Sequence, residues 1–409
     1  MRHAHSRKIS DHYPLAARPT VEPAAVTSRA AIGFGLLAAV LTAAGALATD
    51  GPAQDTSTGG RPAAWPLPRG DAQYTAATDE TLPQALQVLW EFQADEAVES
   101  TPVVGDGRVY FGDAFGKLYA VSLRDGMPVW QRDFETGFLS SPALQGDLLV
   151  IGDVEGNVYA LEAASGEERW RQSTEGEIDG SAGFFDENVL VASRDGRLYC
   201  FRQADGMTVW TYQTDDQIRC SPSIADDRTF LGGCDGALHV VDLRRGEAIG
   251  DLLPLGGPTG STPSVVGEQV FVPTMDGVVF AFNWKTGETV WEHEDRERLQ
   301  EYQSDAAVSR DRMIVSSRGK QVDAISLKTG ERIWRHTLRR RADAGPLVAG
   351  DDVWIAATDG RLVRLSFETG EETWQFEIRG SFTAAPAIAG GRLILGDTRG
   401  VVRCFGAAD

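Results

Sequence analysis

Histidine and cysteine are scarce in this chain, with six and four residues among 409. His3, His5 and His12 lie near the start, and His239, His293 and His336 are scattered. No pair has metal-ligand spacing, so each histidine reads as a solvated surface residue and no metal site is expected. No two of Cys200, Cys220, Cys234 and Cys404 are adjacent, and none precedes Cys200, which excludes an adjacent-cysteine disulfide and a cysteine-linked lipid anchor near the N-terminus. Positive charge is also short: 39 Lys and Arg against 59 Asp and Glu leave a net charge of −20. Such a surface repels nucleic acid and anionic lipid, so neither is an expected partner. Gly-rich turns such as Gly232-Gly233-Cys234-Asp235-Gly236 lack a following helix and read as hairpins, not phosphate loops.

Tryptophan, by contrast, recurs. Trp90, Trp130, Trp170 and Trp210 are followed by Trp291, Trp334 and Trp374, with Gly250 standing where the next ring is due, at spacings of 40, 40, 40, 40, 41, 43 and 40. A period in the forties with about four short strands per unit is the signature of a propeller blade, because one small sheet must pack between neighbours to bury its faces. Within one unit, Ser100–Val104, Arg108–Phe111, Lys117–Ser122 and the Trp130 segment are β-rich runs separated by Gly and Asp turns; they are named strands A to D from the inside outward. Strands A, B and C recur eight times, the last set ends without a D strand, and Gln87–Phe92 is a D strand without a set of its own. The expected fold is therefore all-β, an eight-bladed propeller of four-stranded antiparallel blades whose N-terminal strand closes the last blade and removes the free edge. Pro102, Pro142, Pro222, Pro263, Pro346 and Pro386 share one position in strand A, marking it as the edge that lines the central channel. The wall reads Ser, Thr, Ala and Pro, with Asp305 the lone carboxylate at that level.

The segments Ala281–Trp291 and Ala324–Trp334 resemble the tryptophan-docking motif, A-x-D-x-x-T-G-x-x-x-W, of the pyrroloquinoline quinone (PQQ) repeat propellers, and Ala120–Trp130 and Ala160–Trp170 match it more loosely. The resemblance covers about 320 residues. That superfamily holds quinone-dependent dehydrogenases and cofactor-free propellers such as BamB, the accessory subunit of the outer-membrane β-barrel assembly machinery. The dehydrogenases carry a calcium or lanthanide site of Glu, Asn and Asp, an Asp base, a Trp floor beneath the quinone and long loops around it. Here Trp90, Trp130, Trp170, Trp210, Trp291, Trp334 and Trp374 are docking residues, Trp65 precedes the repeats, and Trp284 and Trp354 fall in a turn and a B strand. No Trp is left for a floor, and no catalytic or cofactor-binding residue is assigned. The docking rings are expected to pack between blades, each burying about 150 to 250 Å². Gly250 predicts a weaker joint between blades 4 and 5.

Residues 1–29 carry five basic side chains against two acidic, residues 30–48 are 19 uncharged and mostly apolar residues, and residues 49–85 read as a Pro- and Gly-rich tether leading to a propeller over 86–409. The pattern predicts an extracytoplasmic, periplasmic-side domain, tethered to the inner membrane by an uncleaved helix or released by cleavage near Ala48. Trp65–Gly70 departs from the tether composition and either docks on the propeller or stays unstructured. Arg339, Arg340 and Arg341, beside Arg298 and Tyr302, form the candidate partner-binding patch, and Cys220 and Cys234 are placed where a disulfide or two free thiols could form. The resulting expectation is a non-enzymatic, monomeric scaffold, similar to BamB, that binds protein partners in the cell envelope. The alternative is a PQQ-dependent dehydrogenase or quinone-binding sensor.

Overall fold

The computed structural model describes residues 64–295 and 300–407. The apolar segment at 30–48, the first part of the tether and Arg298 lie outside the described residues. Among the described residues no helix is long and apolar enough to cross a membrane.

Eight small antiparallel sheets form the blades. Strand A of successive blades is Val103–Gly105, Ala143–Gln145, Gly183–Phe185, Ser223–Ala225, Ser264–Val266, Ala307–Ser309, Leu347–Ala349 and Ala387–Ala389. Gln87–Gln93 pairs antiparallel with Val401–Gly406 and supplies the outer strand of blade 8, so the ring is closed by an element from the start of the repeats. Each strand A is the innermost strand of its blade's own meander, and the shared proline directly precedes it in six blades. In an antiparallel meander the A-to-B and C-to-D turns fall at one end of the blade, and the B-to-C turns and D-to-A loops at the other. The disc therefore has two chemically independent faces.

The docking rings work from blade to blade. Trp90, Trp130, Trp170, Trp210, Trp291 and Trp334 donate their indole N–H to the carbonyls of Leu123, Ala163, Gln203, Leu243, Leu327 and Phe367 in the next blade, at 2.7 to 3.0 Å. Each ring lies against that blade's turn glycine: a Cβ on Gly166 would meet the Trp130 ring at 2.8 Å, and Gly166 has φ +71°. Glycine is thus needed for both its backbone angle and its missing side chain.

Two joints depart from this lock. At joint 4/5, Gly250 interrupts the outer strand of blade 4, which is reduced to Glu247–Ala248 and Leu253–Pro254. The space is filled from the other side: Trp284 of blade 5 packs edge-on to Phe230 at 5.7 Å, lies under Arg228 at 4.9 Å and donates to Gly267 O. At joint 7/8 the ring is present but the glycine is not, because Leu86 occupies the position four residues before Trp90. Trp374 there is half-buried and stacks on Phe376 instead.

Candidate functional site

Strand A leaves backbone N–H groups facing the channel, and small wall residues leave room for something to meet them. The leader segment does so. The carbonyls of Trp65, Pro66, Ala72, Gln73, Thr75 and Ala76 accept from the amides of Val104, Leu144, Ile224, Val265, Val308 and Val348 at 2.7 to 3.0 Å. These amides belong to the middle residue of strand A in blades 1, 2, 4, 5, 6 and 7. Ala77–Thr78 then adds a short parallel strand beside Val348–Ala349. The inner edges of six of the eight blades are thereby paired by one stretch of chain crossing the channel on the A-to-B-turn side. The tether expected over 49–85 is corrected for its described part: Trp65, Leu67, Tyr74, Ala76 and Leu82 are buried. The turn from Trp65 to Gly70 is closed by the indole N–H donating to Pro68 O at 3.3 Å, and Gly70, at φ +86°, sits on the ring where a Cβ would come within 2.8 Å.

Arg69 is the centre of this plug. It is buried, and its guanidinium donates to the carbonyls of Gly345 at 3.3 Å, Ala306 at 3.0 Å and Pro346. Burial lowers its pKa, and the nearby Asp305 opposes that shift. Burial raises the pKa of Asp305, while Arg69 and the Thr262 amide, which donates to Asp305 at 2.6 Å, favour its charged form.

Above the plug the channel opens to the D-to-A-loop face as a cavity of about 210 Å³. Thr101, Ser141, Ser181, Ser221, Thr262 and Asp305 form a ring in which the side chain of each of the last five accepts the backbone N–H of the residue before it, at 2.6 to 3.2 Å; Ala385 N closes back on Thr101. One turn further out stand Glu99, Asp179, Arg219 and Asp343. Along this lining Arg69 Nε, Asp179 Oδ1 and Thr383 Oγ1 are buried without a hydrogen-bond partner among the described residues, and Arg219 Nε has only the ion pair with Asp179 at 3.7 Å. The small-residue wall and Asp305 stand as expected from the sequence, whereas Arg69, Tyr74 and the charged outer ring join them only in the fold.

This cavity does not fit the quinone and divalent ion that the dehydrogenase side of the superfamily implies. Its volume is below the roughly 300 Å³ at which ligand pockets begin. Tyr74 is its only aromatic lining residue. Among the described residues no group of three or more His, Cys, Asp or Glu could hold a metal ion.

The candidate partner patch is corrected in part. Arg339 and Arg340 are exposed and Arg341 is half-buried, paired with Asp343 at 2.7 Å. Tyr302 is 1% exposed, packed with Phe271, Trp291 and Met313 in the joint between blades 5 and 6, and is withdrawn from the patch. All four cysteines are free. Cys220 and Cys234 do not bridge, because Ile218 is the residue opposite Gly233. Cys220 turns into the core beside Leu198 and Ile224 with its thiol on Gly232 O, while Cys234 sits half-buried in the B-to-C turn. Burial pushes the Cys220 thiol up to about 12. His239 and His293 are likewise buried instead of solvated; His239 bridges Asp235 and the Tyr212 hydroxyl at 2.8 and 2.9 Å.

A family model described as outer membrane protein assembly factor BamB matches residues 85–177, 154–249 and 253–409. No curated protein matches the chain. Among solved structures, BamB from Moraxella catarrhalis is similar at 22% identity and a TM-score of 0.68, over 79% of this chain and 98% of that one. A quinohemoprotein alcohol dehydrogenase from Pseudomonas putida HK5 is similar at 13% identity and a TM-score of 0.72, over 85% and 81%. The computationally designed Ika8 protein reaches 0.70 at 14% identity, over 78% and 100%. At these identities the structural neighbours speak for the fold alone, and they include a dehydrogenase as well as BamB.

Proposed function

Because the chain belongs to the family of the outer membrane protein assembly factor BamB, we propose that it is a non-enzymatic protein-interaction scaffold of the cell envelope, engaged in envelope or outer-membrane protein assembly. The observation that carries this reading is the channel: its leader plug and small hydroxyl-lined cavity leave the space where a quinone would sit too narrow and without a metal donor set. What remains for function is the disc's surface. Titration of the purified full chain with PQQ and calcium tests the reading, since a ligand that binds only the folded state raises its melting temperature. No shift and no quinone absorbance retained after gel filtration is the expected result; a shift with retained absorbance defeats the scaffold reading.

The apolar stretch at 30–48, preceded by basic residues, supports placement of the propeller outside the cytoplasm, held at the inner membrane or released near Ala48. Protease added to intact spheroplasts is expected to degrade the propeller. Protection until lysis would place it inside.

A further inference from the structure

The D-to-A-loop face is divided by charge. Glu96, Glu135, Glu155, Glu175, Asp215 and Asp216 are exposed on the loops and turns of blades 1 to 4. Across the channel, the loops and turns of blades 6 to 8 carry Arg318, Lys320, Arg339, Arg340, Arg379 and Arg399. Hydrogen bonds to backbone carbonyls link these basic loops: Leu338 N donates to Lys320 O at 2.9 Å, Thr358 N to Arg341 O at 2.9 Å, and the Arg399 guanidinium to Arg379 O at 3.3 Å. Arg318 pairs with Glu301 at 3.9 Å, Arg339 with Glu377 at 3.6 Å and Arg341 with Asp343 at 2.7 Å, but Lys320, Arg340, Arg379 and Arg399 make no ion pair among the described residues. A sector with four unpaired cations on a chain of net charge −20 is an asymmetry that solubility does not require.

Lys320 adds an independent observation. It has φ +70°, and it stands where the other blades carry Gly116, Gly156, Gly196, Gly236, Gly277, Gly360 and Gly400, all at positive φ. In every one of those blades except that of Gly236 a Cβ crowds the following D-to-A loop; on Gly116 it would meet Thr136 O at 2.5 Å, and on Gly360 Gly380 O at 2.7 Å. Blade 6 alone places a long cation in this left-handed position, next to the loop that carries Arg340. Strain kept at one repeat out of eight marks a position held for something other than stability.

We propose that this sector, from the B-to-C turn of blade 6 to that of blade 8, docks an acidic, extended protein segment. The occupant follows from the shape of the charge. A flat anionic bilayer pressed on this face would meet the acidic half as well as the basic half. A narrow acidic segment lies on the basic half alone and is kept in register by repulsion from the other.

The proposal rests on the scaffold reading, yet the two fail separately, because quinone binding would defeat that reading without touching the peptide result. The test uses the full chain in detergent and a short fluorescein-labelled peptide of alternating Asp and Ser, followed by anisotropy. Binding is expected, weakening with salt, and roughly tenfold weaker in the combined variant Lys320→Gly, Arg340→Ser and Arg379→Ser. Lys320→Gly alone is expected to raise the melting temperature while weakening the peptide. No binding at low salt, equal binding by the triple variant, or a Lys320→Gly protein with unchanged affinity overturns the proposal. Displacement of the peptide by soluble dihexanoyl phosphatidylglycerol at matched charge also overturns it, in favour of a lipid headgroup.

Discussion

Replacing Arg69 with Met is expected to destabilise the propeller by about 3 to 5 kcal/mol, because acceptors left unsatisfied in a buried site cost about 1 to 3 kcal/mol each. Three backbone carbonyls, of Ala306, Gly345 and Pro346, lose their donor at once. Asp305 is left half-buried in the channel wall without its nearby cation, and desolvation already raises its pKa with Arg69 present. The sign of the pH dependence follows. A carboxyl whose folded pKa is raised binds more protons folded than unfolded, so its destabilising effect is absent below the unfolded pKa and develops as pH rises through the folded one. Without Arg69 the folded pKa rises further, and the variant's deficit should grow from pH 4 to pH 8 in denaturant titrations. A second substitution, Asp305→Asn in the Arg69→Met background, should recover part of the loss and flatten the pH dependence. A deficit below about 1 kcal/mol, or one independent of pH, would mean that the plug is held by its backbone pairing and that Arg69 is incidental.

Why the repeats were legible and the plug was not has a physical explanation. A blade announces itself because each copy solves the same problem, so Trp130 with Gly166, or Trp291 with Gly330, recur at a fixed period and betray their partners. The leader segment solves a different problem once. Its pairing with strand A uses backbone carbonyls, which leave no side-chain signature, and its Pro and Gly content reads as a tether. The available signal was Arg69 itself, one cation between Pro68 and Gly70 just after a lone Trp, in a chain whose channel wall holds one carboxylate without a counter-charge. Tyr302 was misplaced for a related reason: it lies in a long polar loop, and only the packing shows that its ring turns inward beneath Trp291. The charged face was half legible, since Arg339–Arg341 stand together in sequence whereas Lys320, Arg379 and Arg399 are brought beside them by the ring.

Truncating Trp291 to Ala should cost about 3 to 5 kcal/mol, as for other buried aromatic rings, and the glycines opposite the rings allow the mechanism to be separated from simple loss of volume. Gly330 has φ +71°, and a Cβ there would meet the Trp291 ring at 2.8 Å. Gly330→Ala therefore combines a left-handed backbone penalty of about 1 kcal/mol with overpacking of about 1 to 3 kcal/mol. Gly287 has a matching φ of +77° but faces joint 4/5, where the ring is missing and the nearest atom is a Leu253 methyl at 3.6 Å. Gly287→Ala should carry the backbone penalty alone. Chemical unfolding of the two alanine variants isolates the contact between ring and glycine, because the backbone term cancels between them. Equal losses would show that the glycines are retained for their turn angle and that the rings stabilise the joints without needing close approach. A larger loss at Gly330 would establish that each joint is a lock whose two halves belong to successive blades. Joint 4/5, already rebuilt around Trp284, would then depend on that ring, and Trp284→Ala should cost as much there as Trp291→Ala does at its own joint.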